Sequence, residues 1–191
     1  MLDGSAGTGK SMFLRDIQKE FPHSSRFVDG SRMTKAGLYK MLREDVRNSI
    51  KFLIIDEIDK LGIDDQESLL TLIEEGKIIQ TQVNGTFTKK YEGLKVIAAS
   101  NSKEDMLEPL LTRFYKVKIK DYTEEEFRDI AKKILEKYPI SEEVTDYIIE
   151  SVIETKEKPN LRDIVHIGKL CNNEIEMVDI LIRNSIEEED Y

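Results

Sequence analysis

The sequence predicts an α/β protein in which a parallel sheet is flanked by helices, followed by a small all-helical part. Strand and helix signals alternate through the first 120 residues, as in chains that build a parallel sheet through helical crossovers. The continuous apolar runs at residues 52–55 and 94–99 are typical of strands that helices cover on both faces. Beyond these residues only helical signals remain. We therefore expect a core over residues 1–120 and a helical part over residues 121–186.

The elements of the core are predicted in the order that such a sheet requires. Three helices are expected at residues 11–21, 34–47 and 65–75, and four strands at residues 26–29, 52–55, 94–99 and 115–120. A further segment, residues 77–91, alternates on both sides of Asn84-Gly85. This pair favours a type I′ turn, so the segment predicts a β-hairpin.

The helices of the second part are predicted from their capping residues. Thr123 and Glu126 have the spacing of a capping box, which begins a helix that runs to residue 137. Ser141 and Asn160 are expected to cap the next two helices. A fourth helix is expected over residues 175–186, and residues 187–191 form an acidic tail that we expect to be disordered.

The charges are distributed unevenly along the chain. The net charge is −9, with +2 in residues 1–120 and −11 in residues 121–191. We therefore expect any contact with nucleic acid to come from the core. The single cysteine, Cys171, excludes an intrachain disulfide and a zinc cluster. No apolar run approaches the roughly 20 residues of a membrane-spanning helix, so we expect no membrane partner and a cytoplasmic location.

A glycine-rich loop carries the strongest functional signal. It matches the phosphate-binding pattern G-x-x-x-x-G-K-[ST] through Gly4, Ser5, Ala6, Gly7, Thr8, Gly9, Lys10 and Ser11. Backbone N–H groups of such a loop turn toward phosphate oxygens, and the following helix directs its positive end to the same place. Lys10 is expected to reach the β- and γ-phosphates of ATP, and Ser11 to ligate Mg²⁺. A chance match in a glycine-rich turn is the alternative.

Polar residues follow two of the buried strands. Asp56 and Glu57 follow the strand at 52–55, at the carboxyl end, where ligands of open α/β sheets bind. Asp56 suits a divalent cation beside phosphates, and Glu57 suits a base that orients an attacking water. Asn101 follows the strand at 94–99 and is placed to hold that water if the two strands are neighbours. An acidic strand end and a common turn former are the structural alternatives.

Two arginines complete the candidate site. Arg113 precedes the last strand of the sheet, where it is either a surface residue or a finger that reaches a neighbouring subunit's γ-phosphate. Arg162 lies in the first turn of a predicted helix, where a positive charge opposes the helix dipole. Either an anion opposite Arg162 or the adjacent Asp163 accounts for this placement. Three further acidic residues are interpreted as turn and cap residues: Asp59, Asp64 and Asp65.

These motifs, in this order, resemble those of the AAA+ family of ATPases. "GSAGTGKS" resembles Walker A, "LIIDE" Walker B, "AASN" sensor 1, "LLTRF" the arginine-finger segment and "NLRD" sensor 2. The resemblance covers nearly the whole chain. It implies a P-loop NTPase core with a small helical lid, and ATP bound between the subunits of a homo-oligomeric ring, often of six. Arg113 would then act on the neighbour's ATP, and Arg162 on the subunit's own nucleotide.

The start of the chain departs from the family pattern. Only Met1, Leu2 and Asp3 precede the loop, whereas family members carry a full strand there. We therefore expect a truncated or late start, with weaker support for the sheet and for the adenine.

The predicted hairpin resembles the pre-sensor-1 hairpin of one branch of the family. That branch includes Holliday-junction branch-migration motors, minichromosome-maintenance helicases and MoxR-like chaperones, and its hairpin commonly faces the pore of the ring. A plain surface hairpin is the alternative. Lys89 and Lys90 point to opposite faces of their strand, so at least one of them is expected to contact DNA if the hairpin faces a pore.

Three functions follow from this resemblance and stay open. The first is an ATP-driven motor that translocates DNA or migrates its branches. The second is a MoxR-like chaperone that remodels a protein client. The third is an assembly module that hydrolyses its nucleotide slowly or not at all.

Overall fold

A computed structural model describes residues 1–82, 85–156 and 159–187. The chain divides into two compact units. The first contains Met1–Ser5 and Gly9–Ile119, and the second contains Ala6–Thr8 and the chain from Lys120 onward. Within the described ranges, no helix is both long enough and apolar enough to cross a membrane.

The first unit is built on a parallel sheet, which confirms the predicted fold class. Its strands are β1 (Leu2–Asp3), β2 (Ser25–Asp29), β3 (Phe52–Asp56), β4 (Lys77–Gln82), β5 (Gly85–Lys90), β6 (Lys95–Ser100) and β7 (Val117–Lys118). Its helices are α1 (Lys10–Glu20), α2 (Lys35–Glu44), α3 (Ile63–Glu75) and α4 (Glu108–Arg113), with a 3-10 turn at Ile58–Lys60. Five strands form the sheet in the order β2-β3-β6-β1-β7, and every neighbouring pair is parallel.

Strand β3 shows why the sheet is covered on both faces. Leu53 and Ile55 are fully buried in one apolar cluster, which also contains Leu69 of α3. Ile54 lies between them in sequence and belongs to a different cluster, together with Leu14 of α1. Successive strand residues point to opposite faces of a sheet. The continuous apolar run therefore packs against helices on both sides, as predicted.

Two elements of the first unit are shorter in the structure than predicted. Helix α2 ends at Glu44 rather than at residue 47, because the carboxylate of Asp45 accepts backbone N–H groups of Ser49 and Ile50 and turns the chain. Strand β7 has two residues rather than the predicted six. It lies at the edge of the sheet and pairs only with β1, which itself has two residues.

The predicted hairpin is present as the antiparallel pair β4 and β5, but its register differs from the prediction. Gln82 pairs with Gly85. Gly85 is therefore a strand residue and not the second residue of the turn, as the Asn84-Gly85 pattern had predicted. Asn84 itself lies outside the described residues.

The second unit contains four helices around one apolar cluster: α5 (Glu124–Leu135), α6 (Glu142–Thr155), α7 (Leu161–Leu170) and α8 (Ile175–Glu187). The capping box of Thr123 and Glu126 is formed in both directions. Ser141 and Asn160 cap α6 and α7, so all three predicted helix starts are confirmed. Helix α5 ends two residues before the predicted end, and residues 188–191 of the predicted acidic tail lie outside the described residues.

Candidate functional site

The glycine-rich loop connects β1 to α1. Gly7 and Gly9 both have a φ of 84°, in the left-handed region that glycine adopts without strain. Gly9 is the N-cap of α1 and provides no side-chain cap. The first N–H groups of a helix have no partner within it, so the first turn of α1 presents backbone donors to an anion.

Lys10 lies inside the loop. Its side chain is buried, and its ammonium donates to the carbonyl oxygens of Gly4 at 2.8 Å and Ser5 at 2.6 Å. Gly4 itself is closely enclosed, because a Cβ at this position would lie 2.4 Å from the carbonyl oxygen of Ile119. The loop therefore has the close backbone packing that its pattern predicts, with a cation at its centre.

The sheet order brings three functional segments to one edge. Strand β6 pairs with β3 on one side and with β1 on the other. The strands are parallel, so their carboxyl ends lie at the same edge. There Asp56 ends β3 and Glu57 follows it, Asn101 follows β6, and the loop follows β1. The two apolar strands are neighbours, which is the condition on which the predicted placement of Asn101 depended.

Glu57 has an uncommon backbone conformation. Its φ of 51° and ψ of 48° lie in the left-handed region, which non-glycine residues rarely occupy. Its N–H donates to a carboxylate oxygen of Asp56 at 3.2 Å, and both side chains are half-buried. Strain of this kind persists where the surroundings hold it, and it is concentrated at functional sites.

Gly30 is a residue of the site that the sequence did not reveal. Its N–H donates to the carbonyl oxygen of Asp56 at 2.7 Å. A Cβ at this position would lie only 2.2 Å from the carbonyl oxygen of Glu57. Only a residue without a side chain lets the end of β2 approach Glu57 so closely. The sequence marked Gly30 merely as the end of a strand.

The structure adds a contact to the interpretation of Asp59 as a turn residue. Asp59 does lie in the 3-10 turn after Glu57, but it is buried and one of its carboxylate oxygens accepts the backbone N–H of Asn101 at 3.0 Å. No pattern in the sequence pairs these residues, because they are 42 positions apart.

Arg113 ends α4 and is exposed. Its guanidinium is paired with the carboxylate of Glu74 in α3, and Nε lies 2.9 Å from Oε1. Within this chain the arginine is therefore held against α3. Its action on a neighbouring subunit stays a prediction.

In the second unit, the carboxylate of Asp163 pairs with residues other than Arg162. Its carboxylate accepts from Lys156 at 2.9 Å and from the side-chain amide of Asn160 at 2.7 Å. Asn160 in turn caps α7 by accepting the N–H of Arg162 at 2.9 Å. The side chain of Arg162 is exposed. The binding of an anion by Arg162 stays a prediction.

Tyr122 contacts the loop residues that belong to the second unit. Its hydroxyl donates to the carbonyl oxygen of Thr8 at 3.0 Å. Partial burial, together with the carboxylate of Glu126, raises the pKa of Tyr122. Gly7 of the loop also lies close to Asn160, since a Cβ added at Gly7 would lie 3.1 Å from Cβ of Asn160.

The two hairpin lysines have different surroundings. The ammonium of Lys89 donates to the carbonyl oxygens of Leu42, at 2.8 Å, and Asp45, and lies 4.9 Å from the ring centroid of Tyr91. It therefore stabilises the end of α2 from within the chain. Lys90 is exposed and lies 3.5 Å from Glu92. A contact of either lysine with DNA stays a prediction.

The residues present fit ATP and Mg²⁺. The loop supplies backbone donors and the ammonium of Lys10, Ser11 supplies a hydroxyl, and Asp56 supplies a carboxylate at the adjacent strand end. Hydroxyl and carboxylate oxygens are the ligands that Mg²⁺ prefers beside phosphates.

Comparison with known proteins agrees with this geometry. A family model described as "ATPase family associated with various cellular activities (AAA)" matches residues 1–122. A search of curated protein sequences gives no significant match.

Several solved structures resemble the chain over most of its length. RuvB from Thermotoga maritima, described as a Holliday junction branch migration motor, is 20% identical with a TM-score of 0.63, covering 97% of this chain and 60% of that one. A point mutant of the same RuvB is 19% identical with a TM-score of 0.67 and the same coverage. NtrX from Brucella abortus, solved in complex with ADP, is 15% identical with a TM-score of 0.63, covering 88% of this chain and 44% of that one. The likeness concerns the fold, and the chain spans 60% of the RuvB chains.

Proposed function

The chain belongs to the AAA family of ATPases, and we propose that it hydrolyses ATP as a subunit of a homo-oligomeric ring, which in this family often contains six subunits. The observation that carries the proposal is the meeting of three strand ends at one edge of the sheet. At this edge the phosphate-binding loop follows β1, the carboxylates of Asp56 and Glu57 lie at the end of β3, and Asn101 follows β6.

The reaction divides among the residues according to their chemistry. The loop N–H groups and Lys10 bind the phosphates, and the amide of Asn101 orients a water toward the γ-phosphorus. Glu57 accepts the proton of that water as its oxygen bonds to phosphorus and the bond to the ADP oxygen breaks. Mg²⁺, when held by Ser11 and Asp56, supplies positive charge to the phosphate oxygens. The products are ADP and inorganic phosphate.

Two arginines would contact nucleotides, one in its own subunit and the other in the adjacent subunit. Arg162 has an exposed side chain at the start of α7, and we propose that it binds the nucleotide. Arg113 would serve the ATP of the adjacent subunit, which requires it to leave the carboxylate of Glu74. Hydrolysis would then depend on assembly, because each active site is completed by a neighbour.

We further propose DNA translocation or branch migration as the output of this cycle. The fold likeness to RuvB supports it, as does the hairpin of β4 and β5 between α3 and β6. The net charge of +2 in residues 1–120 also suits a local contact with a polyanion better than the −11 of residues 121–191 does. Lys90 is the exposed hairpin lysine that would make such a contact.

The experiment is a steady-state ATPase assay with Mg²⁺, in the absence and presence of single-stranded, duplex and branched DNA. Glu57→Gln serves as the control for contaminating ATPases, since it keeps the side-chain size but cannot accept the proton. Stimulation by DNA, greatest for branched DNA, is the expected result. Stimulation by a protein client alone would point to a MoxR-like chaperone, and binding without turnover to an assembly module; either result overturns the DNA proposal.

A further inference from the structure

Asp59 is a buried carboxylate beside the proposed catalytic base. It lies in the 3-10 turn Ile58–Lys60, which begins directly after Glu57. The turn is held by the bond from the N–H of Lys60 to the carbonyl oxygen of Glu57, at 2.9 Å, and Ile58 is fully buried in the core. Asp59 is therefore fixed relative to Glu57 by two residues of chain and by the core beneath them.

The carboxylate of Asp59 has fewer partners than its burial demands. Only 3% of the residue is exposed. Oδ1 accepts the N–H of Asn101 at 3.0 Å, whereas Oδ2 has no hydrogen-bond partner among the described residues. The ammonium of Lys60 lies 3.7 Å from Oδ2, an ion-pair distance that exceeds hydrogen-bond length. A buried, incompletely paired carboxylate costs free energy, so a cap or turn role alone does not account for it.

The bond to Asn101 joins two chain segments beyond the end of the sheet. The pairing of β3 with β6 ends at Ile55 and Ala98, before Glu57 and Asn101 are reached. The side chain of Asn101 is exposed, so packing does not fix it. Its backbone N–H is held by Asp59, two residues after Glu57. We propose that Asp59 is a positioning residue that fixes the spacing between the Glu57 carboxylate and the Asn101 amide.

A second buried side chain holds the other end of the same segment. Gln66 of α3 is fully buried, donates to the carbonyl oxygen of Asp105 at 2.8 Å, and accepts the N–H of Leu107 at 2.7 Å. The segment from Asn101 to Leu107 is therefore anchored at both ends by side chains from the β3–α3 region. Loss of Asp59 leaves the Gln66 anchor in place, so its effect falls on Asn101.

The inference rests on the proposed ATPase function and is tested by two substitutions at one position. Asp59→Leu removes the acceptor, whereas Asp59→Asn keeps a side-chain carbonyl that accepts the N–H of Asn101. Since a misplaced catalytic group costs up to about 10²-fold, we expect Asp59→Leu to lower kcat at least about tenfold. Its affinity for ATP should stay within about twofold, and Asp59→Asn should keep kcat within about threefold. Asp59→Ala, which also lacks an acceptor but is smaller, is measured alongside in case Asp59→Leu does not fold.

Asp65→Leu is the matched control, because Asp65 also accepts a backbone N–H from another element, that of Lys35, but lies away from the strand ends. We expect Asp65→Leu to lose stability without the selective loss of kcat. Amide hydrogen exchange of Asn101, measured without nucleotide, provides a readout independent of turnover. It should accelerate in Asp59→Leu and Asp59→Ala, and stay slow in Asp59→Asn and Asp65→Leu.

Three results would overturn the positioning role while leaving the ATPase proposal intact. These are an acceptor-free variant at Asp59 with wild-type kcat, an equal loss in Asp59→Asn, and unchanged exchange at Asn101 in the acceptor-free variants. A wild-type protein that binds ATP but never hydrolyses it would instead overturn the ATPase proposal, and the positioning role with it.

Discussion

Replacing Gly30 with alanine is expected to displace the proposed catalytic base. The added Cβ would lie 2.2 Å from the carbonyl oxygen of Glu57, 2.8 Å from its carbonyl carbon and 3.0 Å from the carbonyl oxygen of Asp56. Non-bonded heavy atoms reach their optimal separation at about 3.5 Å, so the two backbones must separate by roughly 1 Å. No flexible side chain takes part in this contact. The bond from the Gly30 N–H to Asp56, at 2.7 Å, also resists the separation.

The magnitude follows from this displacement. A shift of about 1 Å in a catalytic group can lower a rate by about 10²-fold, and we expect a loss of kcat of that order. Overpacking of a close contact costs about 1–3 kcal/mol of unfolding free energy. For a chain of this length, each kcal/mol lowers Tm by about 2–4 °C, which gives a total fall of roughly 2–12 °C. The affinity for ATP should change little, because the phosphate-binding loop follows a different strand.

The assay is phosphate release at saturating ATP and Mg²⁺, with ATP affinity and Tm measured by calorimetry. Gly37→Ala is the matched control. Gly37 is exposed in α2, and its added Cβ would meet only Oγ1 of Thr34, at 3.3 Å. It should keep wild-type kcat and should not lower Tm, because alanine is a better helix former than glycine. Gly30→Ala with kcat within about twofold of wild type and an unchanged Tm would refute the close-approach reasoning.

The remaining predictions concern the loop, the interface arginine and the hairpin. Lys10→Ala should abolish measurable ATP binding in calorimetry, because the loop loses the cation at its centre; unchanged affinity would contradict the site assignment. Arg113→Ala should bind ATP without hydrolysing it, and mixing it with Lys10→Ala should restore part of the activity across subunit interfaces; no recovery in assembled mixtures would argue against action in trans. Lys89→Ala should lower Tm, because its ammonium bonds the carbonyls of Leu42 and Asp45. Lys90→Ala should instead keep Tm and weaken DNA binding in a salt-dependent manner, and the reverse pattern would show that the two roles are misassigned.

Several features were predictable from sequence because a few consecutive residues determine them. The loop pattern from Gly4 to Ser11, the carboxylates after the apolar strand, and the helix caps at Thr123, Ser141 and Asn160 each depend on short-range backbone geometry. The apolar runs predicted strands that are covered on both faces, because a strand without alternating polar residues has no side suited to solvent. Family membership follows from the order of such local motifs along the chain.

The hairpin shows which features short-range sequence patterns do not predict. The alternation over residues 77–91 predicted two strands, but Gln82 pairs with Gly85, so Gly85 belongs to a strand and not to the turn that the Asn84-Gly85 pattern predicted. Lys89, one of the two lysines considered as a DNA contact, bonds carbonyls more than 40 residues away in sequence, which no local pattern predicts.

Only the tertiary structure decided how the parts of the site are held together. The order β3-β6-β1 brings the carboxylates, Asn101 and the loop to one edge of the sheet. The pairing of β2 with β3 brings Gly30 against Glu57, and the 3-10 turn after β3 carries Asp59, which bonds the backbone of Asn101. Each contact joins residues that are distant in sequence, and on one side it involves only backbone atoms, which every residue type possesses. Local patterns therefore carry no signal for these contacts, because the strand order decides which segments meet.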